Sequence, residues 1–201
     1  LNDTREHTEE TDGCAVDGVE IRVVDDNRHE VPHGQEGEEA SRGPQVFVGY
    51  WGEPEMTARA LDADGWYYSG DYCRTDSEGR YIRITGRKKD IIVRGGENIS
   101  SREVEDIVLE YPGVREAAVV AMPDERLGER SCACVSMRPG APAMHLTDLV
   151  AFFDGRRVAK YKFPEYLVVL DALPRTSSGK LQKFALARMV RERVAAGQPS
   201  D

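Results

Sequence analysis

From residue 19 to 24 the chain alternates apolar and polar positions, Val-Glu-Ile-Arg-Val-Val, which predicts a strand with one buried face. Residues 1–17 are polar and without period, so a loop or frayed end is expected there. An acidic, turn-rich stretch over residues 29–42 separates the first strand from a second, expected over residues 45–51. Residues 54–61 predict a short helix, with Pro54 tolerated in its first turn. Residues 66–73 and 80–85 are rich in aromatic and β-branched side chains and flank Asp76-Ser77-Glu78-Gly79, the signature of a hairpin. This half reads as an all-β unit with one small helix.

The pattern changes after Gly86. Residues 90–94 predict a short strand that Gly95-Gly96 breaks. Ser100 and Glu103 then form a capping box ahead of Val104, Ile107, Val108 and Tyr111, at helical spacing. Strands are expected over residues 114–122, 131–137 and 166–170, and helices at Leu146, Leu149, Val150 and Phe153 and over residues 182–194. The predicted fold class is α+β: a β-rich, barrel-like subdomain over residues 1–86, then a small α+β domain over residues 87–201 with a three-stranded sheet flanked by helices. No internal repeat is visible.

Charge sharpens this division. The 201 residues carry a net charge of -9, yet residues 1–40 alone hold thirteen carboxylates against three bases, and the last fifty-one hold ten Lys/Arg against five Asp/Glu. The basic end suits an anionic small molecule. Scattered bases, a pI near 5.1 and the lack of aromatic-basic interleaving argue against nucleic acid. A mean hydropathy of -0.53 and the lack of any apolar run near eighteen residues argue against a membrane span. There is no basic leader followed by an apolar segment, so no secretory signal is expected. The four cysteines are too few and too irregular for a disulfide framework, and a reducing, cytoplasmic setting is expected. Cys132 and Cys134 fall on one strand face and read as buried thiols. His7, His29, His33 and His145 form no ligand pair at helical spacing, so no structural metal is predicted.

Four segments carry candidate chemistry. In Tyr68-Ser69-Gly70-Asp71 a carboxylate at a strand end can accept both hydroxyls of a ribose; a turn aspartate is the alternative. In Gly86-Arg87-Lys88-Lys89-Asp90 the Arg87 fork suits hydroxyl and phosphate oxygens, against a solvated charge run. In Arg94-Gly95-Gly96-Glu97-Asn98-Ile99 paired glycines allow close approach of a ligand to the backbone, or simply make a turn. In Pro174-Arg175-Thr176-Ser177-Ser178-Gly179-Lys180 a lysine behind a flexible Ser/Gly loop offers a mobile point charge for phosphate or developing negative charge, against an ordinary exposed lysine. A phosphate loop of the G-x-x-x-x-G-K-[ST] kind is excluded there, because the first glycine is missing and Leu181 follows the lysine.

Taken together with Tyr50, Pro54 and Thr57, Gly65-Trp66, Glu103-Val104-Glu105 and Lys160-Tyr161-Lys162-x-Pro164, these segments fall in the order seen in adenylate-forming (AMP-binding) enzymes. The chain resembles their acyl-CoA synthetase branch, the short- and medium-chain fatty-acyl-CoA or cyclohexanecarboxylate-CoA ligases, from about Val19 to Val190. The resemblance implies activation of a carboxylic acid by ATP to an acyl-adenylate with release of pyrophosphate, then transfer of the acyl group to coenzyme A with release of AMP. It implies that Asp71 and Arg87 hold the ribose hydroxyls of ATP and AMP, that Lys89 is the hinge of a mobile domain, and that Gly95, Gly96 and Glu97 line the pantetheine channel. Lys180 would bridge the substrate carboxylate and the α-phosphate, and a lysine acetyltransferase and deacetylase acting on Lys180 would switch it. The net positive region holding Arg156, Arg157 and Lys160 would meet the phosphates of coenzyme A, against a solvated helix end.

The Ser/Thr/Gly-rich phosphate loop and the Tyr-Gly-x-Thr-Glu adenine segment of such enzymes are missing, and the chain starts at Leu1. The expectation is therefore a C-terminal portion of a longer ligase, inactive alone, with the acyl pocket and the Mg2+ ligands upstream. A carrier-protein-loading adenylation domain and a non-catalytic nucleotide-binding or regulatory module are the alternatives.

Overall fold

In the computed structural model, residues 4–195 are described, and the chain divides into two compact units, residues 1–89 and 90–201. The first is built on an antiparallel sheet of β1 (Gly13–Cys14), β2 (Glu20–Val24), β3 (Glu36–Arg42), β4 (Tyr67–Thr75) and β5 (Tyr81–Arg87), in the order β1-β5-β4-β3-β2. With β1 and β2 at its ends this is an open sheet among the described residues, not the barrel-like closure expected. Its core is small: Val24, Ala40, Trp66 and Tyr68, with the guanidinium carbons of Arg22 and Arg42 lying 4.0 and 4.6 Å over the Trp66 ring. The short helix α2 (Pro54–Ala60) has Pro54 at its start, as the sequence predicts.

Three local expectations fail in this unit. Residues 5–10 are not a loop but a helix, α1 (Arg5–Glu10), whose N-cap Thr4 accepts the His7 N–H and whose His7 ring stacks on Tyr81 at 3.8 Å. Six residues are too few to show a helical period. The acidic stretch contains β3, which looks like a solvated run because its charged side chains find their partners on other segments: Arg42 on Glu20 of β2, Glu36 on Arg74 of β4, and Glu38 on Lys88 just after β5. Residues 45–51 form no strand. Their backbone bonds locally instead, Val46 N–H donating to Gly43 O in a turn and Tyr50 N–H to Thr57 Oγ1 of α2, and Val48 and Trp51 are fully exposed.

The second unit contains β6 (Ile91–Arg94), β7 (Glu97–Ser100), α3 (Ser101–Leu109), β8 (Val114–Asp124), β9 (Gly128–Met137), α4 (Leu146–Asp154), β10 (Tyr166–Val169) and α5 (Lys183–Ala195). β9 is the centre of the sheet: it pairs antiparallel with β8 along its length, parallel with β10, and meets β6 at Arg94↔Gly128. The sheet has five strands, two more than the three expected, because the residues on both sides of Gly95-Gly96 fold into the β6–β7 hairpin.

Alternation along β8 and β9 sends side chains to two cores. Val119 and Val135 pack with Val104 and Val108 of α3 and Leu149 and Phe153 of α4. Val120, Met122, Cys132 and Cys134 pack with Leu186 and Val190 of α5. Fully burying one such aliphatic side chain stabilises by about 1.5–3 kcal/mol, so the unit has a core on each face of its sheet. Ser100 caps α3, its hydroxyl accepting the Glu103 N–H at 3.4 Å. Both thiols of the Cys132-x-Cys134 pair are free and buried on one face; their mutual hydrogen bond and burial raise the Cys132 pKa. Among the described residues no helix is long and apolar enough to cross a membrane.

Candidate functional site

Asp71 sits on β4 directly opposite Arg87 at the end of β5. Register shifts on both sides, at Glu38/Ala40 against β3 and at Tyr72/Cys73 against β5, kink β4 here, and Gly70 has φ +73°. The bulge holds a carboxylate, a quarter exposed, at a bend in the sheet. Arg87 Nε lies 2.9 Å from Asp71 Oδ1, close enough for an ion pair but off the hydrogen-bonding direction, so the buried Oδ1 has no hydrogen-bond donor among the described residues. Glu39 stands nearby; burial pushes its pKa up, and the Asp71 charge adds to the shift. Burial likewise pushes the Cys73 thiol up to about 12, which makes it inert as a nucleophile. The local arrangement is an acceptor oxygen lacking a donor beside a half-exposed guanidinium fork.

Lys88 and Lys89 differ sharply. Lys88 Nζ is 2.9 Å from both Asp26 Oδ1 and Glu38 Oε2; burial works against its charge, but these two carboxylates raise its pKa. Lys89, the last residue of the first unit, is exposed, and its side chain makes no ion pair among the described residues.

Gly95 and Gly96 are the two central residues of the β6–β7 hairpin, with φ +59° and +89°. A two-residue hairpin with both central φ positive demands glycine or asparagine, so the turn alone accounts for both glycines. Gly95 N–H donates to Leu127 O at 2.7 Å, whereas a Cβ on Gly96 would meet nothing within 4 Å. Glu97 follows, exposed, at the start of β7.

The loop before α5 is tied rather than flexible, which corrects the reading of its Ser/Gly content. Arg175 and Leu181 form an antiparallel bridge, Thr176 N–H donates to Lys180 O at 2.8 Å, and Gly179 N–H donates to Thr176 O at 2.9 Å. Thr176 Oγ1 accepts the Lys180 N–H at 3.0 Å, and Arg175 Nη1 donates to Gly179 O at 2.7 Å. Serine and threonine here close the turn on itself instead of loosening it. The Lys180 side chain is exposed and has no ion pair among the described residues.

The other basic candidates are not equivalent. Arg156 pairs with Glu110 at 2.8 Å and lies 3.5 Å over the Phe152 ring, whereas Arg157, at φ +57°, and Lys160 are exposed. Sequence reasoning missed two charged clusters. One joins Lys183, Glu105, Ser101 and Asp90; in the other Glu165 pairs with both Arg94 and Arg130, and Arg130 pairs with Asp124. The only local signal for the first was Ser101 and Glu105 at i, i+4 on one helix face. Among the described residues no three His, Cys, Asp or Glu side chains converge as a metal site requires.

Comparison with known proteins gives the chain its family. Residues 103–180 match the AMP-binding enzyme C-terminal domain, and residues 1–51 match the AMP-binding enzyme family. The chain is 62% identical over 194 residues to a medium-chain fatty-acid–CoA ligase of Escherichia coli K12, covering 96% of this chain and 34% of that protein. It is 42% identical over 158 residues to a mitochondrial medium-chain acyl-CoA ligase of Mus musculus, covering 79% of this chain and 25% of that one. The crystal structure of ATP-bound MatB from Rhodopseudomonas palustris superposes with a TM-score of 0.84 at 36% identity, over 90% of this chain and 36% of that one. The chain thus spans about a third or less of the length of these relatives. With AMP-binding sequence in both of its compact units, it belongs to the adenylate-forming, AMP-binding enzyme family.

Proposed function

We propose that this chain works within a longer acid–CoA ligase that activates a medium-chain carboxylic acid with ATP and passes the acyl group to coenzyme A. In the first step a carboxylate oxygen attacks the α-phosphorus; the bond to the β-phosphate breaks and pyrophosphate leaves with the electron pair. In the second the thiol sulfur attacks the acyl carbonyl, its proton passes to solvent, and AMP leaves.

The observation that carries this reading is the Asp71 carboxylate, whose buried Oδ1 lacks a donor among the described residues while Arg87 stands beside it. A vicinal diol supplies the missing donors, and the Arg87 fork donates to the diol oxygens in turn. Lys180, on a tied hairpin with its ammonium unpaired among the described residues, is the group that supplies positive charge where the carboxylate and α-phosphate meet. Lys89, exposed next to the doubly paired Lys88, is the pivot between half-reactions. Gly95, Gly96 and Glu97 border the pantetheine, the open space over Gly96 giving a thin chain room. Arg157 and Lys160 are the cations available for the coenzyme A phosphates; Arg156 is already engaged by Glu110. The described residues do not make a Mg2+ site, and no step assigned to this chain runs through that ion. We also propose a lysine acetyltransferase and deacetylase as partners in a cytoplasmic setting: acetylation of the exposed Lys180 would remove its charge and stop adenylation.

The test is to supply the intact enzyme with ATP, coenzyme A and a series of fatty acids. Acid-dependent formation of AMP and acyl-CoA is the expected result. Acyl-adenylate made without use of coenzyme A would transfer the assignment to carrier-protein loading, and no acid-dependent turnover of ATP would remove it.

A further inference from the structure

One polar cluster outside the proposed chemistry gathers side chains from α3, α5 and the first residue of the second unit. Lys183, which opens α5, places Nζ 2.6 Å from Glu105 Oε1 on α3 and donates to Ser101 Oγ at 2.9 Å; Asp90 Oδ2 lies 3.7 Å away. Glu105 Oε1 also accepts the Val119 N–H of β8 at 2.7 Å. The side chains of Lys183 and Glu105 are only 24% and 15% exposed. A pair this far out of water gains little over well-packed apolar side chains of the same shape. What it supplies is a fixed direction and distance.

Lys183 stands three residues after Lys180, and the backbone joining them is closed. Leu181 bridges to Arg175, Gln182 N–H donates to Pro174 O at 2.9 Å, and Leu186 N–H donates to Gln182 O at 3.1 Å. At the other stem Arg175 pairs with Glu116 of β8. The hairpin presenting Lys180 is therefore a stiff piece held at each end by an ion pair, one to β8 and one to α3. Moving either pin moves the whole piece.

We propose that Lys183 is a positioning residue for adenylation: by pinning the start of α5 to Glu105 and Ser101, it sets where the Lys180 hairpin presents its ammonium. This rests on the reading of Lys180 given above. Leu186 and Val190, both fully buried, hold α5 on the sheet whether or not the pin is present, so its loss shifts the hairpin without releasing the helix. Burial already raises the Glu105 pKa, with Lys183 acting in the opposite direction, so Glu105 left without Lys183 can take up a proton rather than remain a buried charge.

The experiment compares Lys183→Met, Lys183→Arg and Lys180→Ala in the intact enzyme, following amide exchange over residues 176–182 and each half-reaction separately. For Lys183→Met we expect faster exchange in the hairpin, and adenylation turnover down by about tenfold to a hundredfold, the scale of a misplacement near 1 Å. The KM for ATP and the rate of thioester formation from supplied acyl-adenylate stay within about twofold, since a positioning loss acts on one transition state only. Lys183→Arg restores most of the turnover. Faster exchange with unchanged adenylation, or an equal fall in both half-reactions, overturns the proposal. If Lys183→Met does not fold, Glu105→Gln carries the same comparison. Adenylation that survives Lys180→Ala shows instead that the reading of Lys180 has failed, and the proposal falls with it.

Discussion

Replacing Arg87 by methionine separates a nucleotide-holding role from a structural one, because the two predict losses of different size in different assays. Arg87 is 56% exposed, and its Nε lies 2.9 Å from Asp71 Oδ1 without hydrogen-bond alignment. An ion pair this open is screened and stabilises by about 0–1 kcal/mol, so denaturant unfolding of the first unit should shift by no more than that. As a ribose ligand the guanidinium donates charge-assisted hydrogen bonds, each worth about 1.5–3 kcal/mol. Losing one weakens AMP binding by roughly tenfold to 150-fold. Isothermal titration of AMP into the intact enzyme, with urea unfolding of the same variant, measures both. A stability loss near 3 kcal/mol with AMP affinity unchanged would make Arg87 and Asp71 a structural pair and refute the reasoning.

Four further outcomes can be checked. Phe153→Ala empties a fully buried site beside Phe163 and should cost about 3–5 kcal/mol in urea unfolding of the second unit. Gly96→Ala forces a side chain to φ +89°, with no steric contact within 4 Å. It should cost about 1–2 kcal/mol of stability and raise the KM for coenzyme A while sparing adenylation. Asp124 has its pKa lowered, first by the Leu127 N–H and then, against some desolvation, by the Arg126 N–H and Arg130. The unfolded chain binds that proton more readily, so this stabilisation is present above about pH 4 and is lost as pH falls through the lower folded value. Asp124→Ala should flatten the acid limb of stability against pH. Lys180→Gln, which keeps length but removes charge as acetylation does, should abolish acid-dependent pyrophosphate exchange without a change in melting temperature.

Helix α3 was legible because its period and its cap coincide in one short window, Ser100 to Tyr111. β8 and β9 were legible because each carries a run of small and β-branched apolar residues, as a strand buried on both faces requires. β3 was hidden for the opposite reason: Glu36 and Glu38 look like a solvated run until their partners Arg74 and Lys88 arrive from β4 and the end of β5. Residues 45–51 misled because an apolar run says nothing about where its backbone hydrogen bonds go, and here a turn and the Thr57 side chain take two of them in place of a neighbouring strand. Asp71, Arg87 and Lys180 stand in short motifs and could be named from the sequence. The sequence could not say that Asp71 Oδ1 lacks a donor, or that the Lys180 hairpin is stiff. Lys183 was missed because its partner Ser101 is 82 residues away.

The proposed role of Lys180 is to supply positive charge to adenylation and not to thioester formation. Its most direct test is Lys180→Ala in the intact enzyme with the two half-reactions assayed apart. Acid-dependent pyrophosphate exchange should fall by at least about 100-fold, the scale of removing a preorganised charge donor, while acyl-CoA formation from supplied acyl-adenylate stays within a few-fold of the unsubstituted enzyme. Equal loss in both half-reactions, or exchange at the unsubstituted rate, would contradict the account.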